Sequence, residues 1–150
     1  MVRPAGLDSP RDHRMTTLHL IKLYLLTVPV FLAVDLLWLG VLARDFYRSN
    51  LGHLLSPAVN WPAAILFYLL FIAGILYFAV LPALAEGSLG RAVLNGLLFG
   101  FFTYTTYELT NLATLPGWPL KVVVVDIAWG MTLSATVAAA SFGLGRWLLG

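Results

Sequence analysis

The sequence predicts an all-α membrane protein, a four-helix transmembrane bundle running up-down-up-down with a short interfacial helix between its first two spans. Three observations predict it. The 150 residues are 60% hydrophobic and only 11% charged, where an ordinary soluble domain is roughly a quarter charged. Four apolar stretches are each long enough to cross a hydrocarbon layer about 30 Å thick. Most charged residues gather where those stretches end, and the connections are too short to hold a second domain.

Residues 1–14 carry two prolines and five charges with no periodicity, which predicts a disordered cytoplasmic tail. Met15 is an alternative start. The apolar run that follows is too long for a cleavable signal peptide and no A-x-A site ends it.

The 15–150 region is expected to form the transmembrane domain. Its first span covers about residues 17–43, with Pro29 tolerated because neighbouring helices can satisfy the carbonyl that proline frees. Its interior holds one charge, Asp35. Between Arg44 and Asn60, Phe46, Tyr47, Leu51, Leu54 and Leu55 recur at helical spacing among polar residues, as in a helix lying in the membrane interface. The second span, about residues 61–84, opens with Pro62 in its first turn and contains no charge. A short polar turn over 86–91 makes it antiparallel to the third span, about residues 92–112.

The fourth span, about residues 120–147, begins with the β-branched run Val122 to Val125. The length of apolar sequence around that run decides for helix over strand. Gly130, Ser134 and Ala138 repeat every four residues, as do Ala135, Ala139 and Gly143, so two small faces let other helices approach closely. Trp118, in the turn before this span, and Trp147 are read as interface anchors.

With four spans, Arg3, Arg11, Arg14, Lys22, Arg91 and Arg146 share one side, and Arg44, Arg48 and Lys121 the other. The positive-inside rule then puts both termini in the cytoplasm. The formal charge of +2 comes without a basic run that could track a phosphate backbone, so nucleic acid is not an expected partner. Absence of cysteine excludes disulfides, thiolate metal sites and cysteine nucleophiles. His13, His19 and His53 have no metal-ligand spacing, and no cofactor is implied.

The chemistry-bearing residues concentrate between Tyr104 and Trp129. Glu108 and Asp126 flank the turn Pro116-Gly117-Trp118-Pro119, which sets both roughly 5 to 10 Å below one membrane surface at a rise of about 1.5 Å per residue. Asp35 lies roughly 12 Å below the same surface. Tyr104, Tyr107, Glu108 and Asn111 form one helical stripe, and Asp35 and Trp38 share a face of span one, as Asp126 and Trp129 do of span four. Asp-x-x-Trp therefore occurs twice, on antiparallel spans, as in inverted repeats.

A carboxylate facing lipid at mid-depth costs about 2.5 to 3.5 kcal/mol, so three of them should face inward. The available partners are Lys121, the nearest counter-charge, together with tyrosine hydroxyls, Asn111 and indoles. The expected ligand-binding set is Asp35, Trp38, Tyr104, Tyr107, Glu108, Asn111, Lys121, Asp126 and Trp129. Together they would wall an acidic, aromatic pocket open to the outer side.

Several of these residues carry a resemblance. The spacing of Asp35-x-x-Trp38-x-Gly40, Phe46-Tyr47, Asn60-Trp61, Tyr107-Glu108-x-Thr110-Asn111, and Gly117-Trp118-Pro119-Leu120-Lys121 with Asp126-x-x-Trp129-Gly130 resembles the bacterial predicted integral membrane protein family known as domain of unknown function 2177. The resemblance spans about residues 15–145. It implies a four-helix integral protein of the bacterial cytoplasmic (inner) membrane, with Asp common at the Glu108 position, and it implies no activity.

Three functions remain open. One is a small transporter or binding protein whose pocket takes a cation or small amphipathic molecule, with a homodimer formed through the small faces of span four. A second is a lipid-modifying enzyme using carboxylate acid/base chemistry. The third is a structural or accessory subunit, in which the acids form a hydrogen-bonded layer that fixes helix packing.

Overall fold

A computed structural model describes residues 15–54 and 58–150. The tail expected over 1–14 and Leu55 lie outside the described residues. All regular structure among those described is helical. There are four long helices and one short one: α1 (Thr17–Leu42), α2 (Arg44–Leu51), α3 (Trp61–Glu86), α4 (Leu89–Thr114) and α5 (Leu120–Leu149). Of these α1, α3 and α5 are long and apolar enough to cross a membrane. Helix α4 has the length, at 26 residues, but its threonines, Asn95, Asn111 and Glu108 make it the least apolar of the four. The expected third span, about residues 92–112, is therefore a helix whose composition does not by itself mark it as spanning.

Helix starts follow from local chemistry. Thr16 caps α1, its Oγ1 accepting from the His19 N–H at 3.3 Å while the His19 ring accepts from the Thr16 N–H at 3.4 Å. This reciprocal pair satisfies two amides that a helix start leaves unpaired. Asn60 caps α3 by accepting from the Ala63 N–H at 3.3 Å, with Pro62 in the first turn where no amide is needed. Val122 to Val125 is helical, because backbone groups in so apolar a segment have no partner except their own helix.

Two helices contain a wider π-helical turn, Trp38–Leu42 in α1 and Leu76–Val80 in α3. In α1 the turn closes through the Ala43 N–H on the Trp38 carbonyl at 2.8 Å. In α3 the cause is Pro82, which has no N–H to give the carbonyl of Phe78 four residues earlier. Asn95 of α4 reaches that carbonyl at 3.4 Å instead.

Helices α3 and α4 are joined by Gly87 and Ser88 alone. Gly87 adopts φ +65°, a left-handed conformation that ends a helix without a Cβ clash. The Ser88 N–H then reaches back to the Ala83 carbonyl at 3.0 Å, and its hydroxyl accepts from the Arg91 N–H at 3.2 Å. One residue pair thus stops one helix and starts the next, forcing the antiparallel arrangement.

Helix α5 is central, packing against α1, α3 and α4. It approaches α4 closely, because small residues meet on both sides. A Cβ added at Gly100 would lie 2.1 Å from the Gly130 carbonyl oxygen, and one at Gly96 would lie 2.7 Å from that of Ser134. The predicted small face of Gly130, Ser134 and Ala138 is therefore buried within the chain, and it does not offer itself to a second copy. Its partner Gly96-x-x-x-Gly100 was legible as a small-residue pair but had not been expected. The core of Leu23, Phe31, Ile72, Ile75, Leu133 and Val137 lies among α1, α3 and α5, and the Thr27 and Ser141 hydroxyls join α1 to α5 at 2.9 Å.

Helix α3 packs on α4 through its second half, Leu76–Glu86, whereas its first half diverges. That divergence leaves room beside the acidic residues.

Candidate functional site

The two Asp-x-x-Trp motifs meet. Trp38 of α1 stacks flat on Trp129 of α5, with ring centroids 4.4 Å apart and planes 8° from parallel. Asp35 precedes Trp38 by one helical turn and Asp126 precedes Trp129 by one, and because the two helices run antiparallel the carboxyls lie to either side of the stack along the helix axes. Tyr104 of α4 lies in the electrostatic field of both. Its ring packs where a Cβ on Gly130 would stand, 2.2 Å from the ring carbons.

Each acid has its own neutral donor. The Tyr68 hydroxyl of α3 donates to Asp35 Oδ2 at 3.0 Å. The Tyr47 hydroxyl of α2 donates to Asp126 Oδ1, and the Trp38 indole N–H donates to the same hydroxyl at 3.1 Å. Trp118, in the turn between α4 and α5, donates its indole N–H to Glu108 Oε2 at 2.8 Å. The indole of Trp129 points toward Asp35, though its N–H meets no acceptor with hydrogen-bond geometry. Each tryptophan of the stack thus serves the other motif's acid, Trp38 through Tyr47 and Trp129 by proximity.

Glu108 is fully buried. Its Oε1 has no donor, and its carboxyl lies close to that of Asp126. Two carboxyls so placed repel unless a positive charge, a proton or a cation, lies between or beside them. Tyr47 lies outside the spans, on α2. Burial first, then its bond to Asp126, raises its phenol above the ordinary value, so it stays a donor.

A cavity of about 830 Å³ opens beside this network. Asp35, Asp126 and Trp129 are among its lining residues, together with Tyr104 and the buried Phe31 and Phe71. Phe67, Phe102 and Tyr107 line it on the outside while remaining 49%, 63% and 57% exposed. The cavity therefore opens laterally between the diverging α3 and α4. No basic side chain among the described residues lines it.

Of the residues expected from sequence, Asp35, Tyr104, Tyr107, Asp126 and Trp129 line the cavity. Trp38 and Glu108 stand behind it, each one contact removed. Asn111 is half-buried next to Tyr107, its amide nitrogen unpaired. Lys121 is exposed, and among the described residues no ion pair links it to an acid. The counter-charge role expected for it is filled by neutral donors, because a lysine at the first turn of α5 reaches water at little cost.

Three contributors escaped the sequence reading. Trp118, expected as an interface anchor, and Tyr47, expected on an interfacial helix, both turn inward to carboxyls. Tyr68 of α3 is the third. The available signal was an aromatic donor at a depth where an acid needs a partner.

Among the described residues no group of three or more histidine, aspartate or glutamate side chains could hold a metal ion. No curated protein and no solved structure matches the chain. A family of predicted membrane proteins does, over residues 20–143, nearly the whole of the five helices. The chain belongs to that family, predicted membrane protein DUF2177.

Proposed function

We propose that the protein is a four-span component of the bacterial cytoplasmic (inner) membrane, both termini cytoplasmic, whose pocket binds or transports a cation or small amphipathic molecule. The observation that carries this is the cavity of about 830 Å³ with Asp35 and Asp126 on its wall and, among the described residues, no lining base. That volume is in the range of small-molecule sites, and a largely aromatic wall with a few convergent polar groups is their usual lining. Membership of α4 in the bilayer is supported by its 26-residue length and its antiparallel placement against two apolar helices. A homodimer through Ala135, Ala139 and Gly143 is compatible with open space around Gly143.

The test is ligand-dependent thermal stabilisation of the purified protein in neutral detergent, using inorganic and quaternary ammonium cations. A saturable shift that the Asp35→Asn/Asp126→Asn variant loses supports the reading. No shift with any cation or amphiphile overturns it. The packing reading draws support from one observation, that each acid already has its own donor, Tyr68, Tyr47 or Trp118. In that case both asparagine substitutions lower stability and ligands change nothing.

A further inference from the structure

The cavity's lining is of two kinds, and the difference narrows what it can hold. On its wall Asp35, 4% exposed, accepts on Oδ2 from Tyr68, while Asp126 accepts on Oδ1 from Tyr47. Behind Asp126 stands the fully buried Glu108, with one oxygen unpartnered. Acceptors left open on the acids, with no lining base among the described residues, favour an occupant that brings both positive charge and N–H or polarised C–H groups. The faces of Trp129 and Tyr104 beside the acids add the attraction of aromatic rings for an organic cation.

An inorganic divalent ion is a poor fit. Calcium needs six to eight oxygen ligands and magnesium a tight octahedron. Here the acids are occupied by phenol and indole donors, and among the described residues no cluster of three ligating side chains exists.

The other part of the lining is apolar and faces outward. Phe67 of α3 and Phe102 and Thr106 of α4 line an opening at the surface these helices present to lipid. Thr106 is exposed, its hydroxyl satisfied by the Phe102 carbonyl at 2.7 Å, so it asks nothing of an occupant. A hydrocarbon chain leaving the cavity here would pass directly into the bilayer.

We infer that the ligand is a lipophilic amine, taken sideways from the membrane between α3 and α4, its cationic head at Asp35 and Asp126 and its chain in the Phe67–Phe102 opening. This rests on the binding reading above and adds the ligand class and its route. The source is the membrane, because the apolar opening has no function for a water-dissolved ion.

The experiment uses the full-length protein in nonionic detergent, with thermal shift and intrinsic tryptophan fluorescence as readouts. The probes are dodecyltrimethylammonium, which has head and chain, tetramethylammonium, which has the head alone, and dodecanol, which has the chain alone. Dodecyltrimethylammonium is expected to bind saturably and at least about tenfold more tightly than either part, as expected when a charge-assisted contact and chain burial act together. Thr106→Trp fills the opening from a lipid-exposed position and leaves every acid in place. It should weaken the long-chain probe about tenfold, the size of a lost chain contact, and leave tetramethylammonium unchanged.

Equal binding of dodecanol would overturn the cationic head. Equal binding of tetramethylammonium, indifferent to Thr106→Trp, would overturn the chain and the lateral route while leaving the binding reading intact. If no probe binds, both fall.

Discussion

Trp38 and Trp129 lie face to face, 4.4 Å between ring centroids and 8° between planes, at the point where α1 crosses α5 beside the acids. Neither indole has another aromatic ring against it. Trp38→Ala and Trp129→Ala should each destabilise by about 3 kcal/mol, the lower end for truncating a large aromatic. Because each loses the same stack, the double variant should fall short of the sum by about 1 kcal/mol. Equilibrium unfolding by dodecyl sulfate in mixed micelles measures all three, and strict additivity would show that the stack contributes nothing of its own.

Glu108 separates two effects that most substitutions confound. A glutamine keeps the acceptor for Trp118 and offers its amide to Asp126, replacing the orphan oxygen with a donor. Glu108→Gln should therefore be neutral or stabilising, whereas Glu108→Ala leaves a buried indole N–H unpaired and costs about 1 to 3 kcal/mol. Thermal melts of the two variants side by side decide it. A glutamine variant as unstable as the alanine one would mean the carboxyl charge itself is needed.

Tyr47→Phe removes the hydroxyl between Trp38 and Asp126. The cost should be about 1 to 3 kcal/mol, since a half-buried carboxyl acceptor and an indole N–H are left without their partner. The pH dependence has a defined sign. The phenol is raised in the folded protein, so its contribution is complete below the ordinary phenol value of about 10 and is lost as pH rises above it. A melting series from pH 7 upward should show a steeper alkaline loss for the natural protein than for Tyr47→Phe, and parallel curves would contradict it.

The α4–α5 contact has no room for a methyl group. Gly100→Ala would set its Cβ 2.1 Å from a backbone oxygen of α5, and a backbone cannot swing aside as a side chain can. The expected loss is about 1 to 3 kcal/mol from overpacking. Gly143→Ala, with nothing within 4 Å of the new Cβ, is the matched control and should be unchanged or slightly stabilised by better helix propensity. Dodecyl sulfate unfolding of the pair tests whether close approach, and not glycine content, holds these helices.

By itself the sequence determined the helical elements. The helix bounds at Thr17, Trp61 and Leu120 follow from apolar run length and capping residues, because a chain in hydrocarbon has no alternative partner for its amides. It also led to the expectation that Asp35 and Glu108 face inward, as their burial bears out, since helical period is fixed by local geometry. What it left undecided was which side chains meet across helices. Tyr68 and Tyr47 satisfy the aspartates from α3 and α2, Trp118 reaches Glu108 from the turn, and Lys121 stays in water. These pairings depend on how α3 diverges from α4 above Leu76 and how closely Gly96 and Gly100 let α4 approach α5. Only the tertiary packing decides those, because helix separation is set by the side chains of both partners at once. The same divergence makes the cavity, so the site's residues were legible in the chain while the space between them was not.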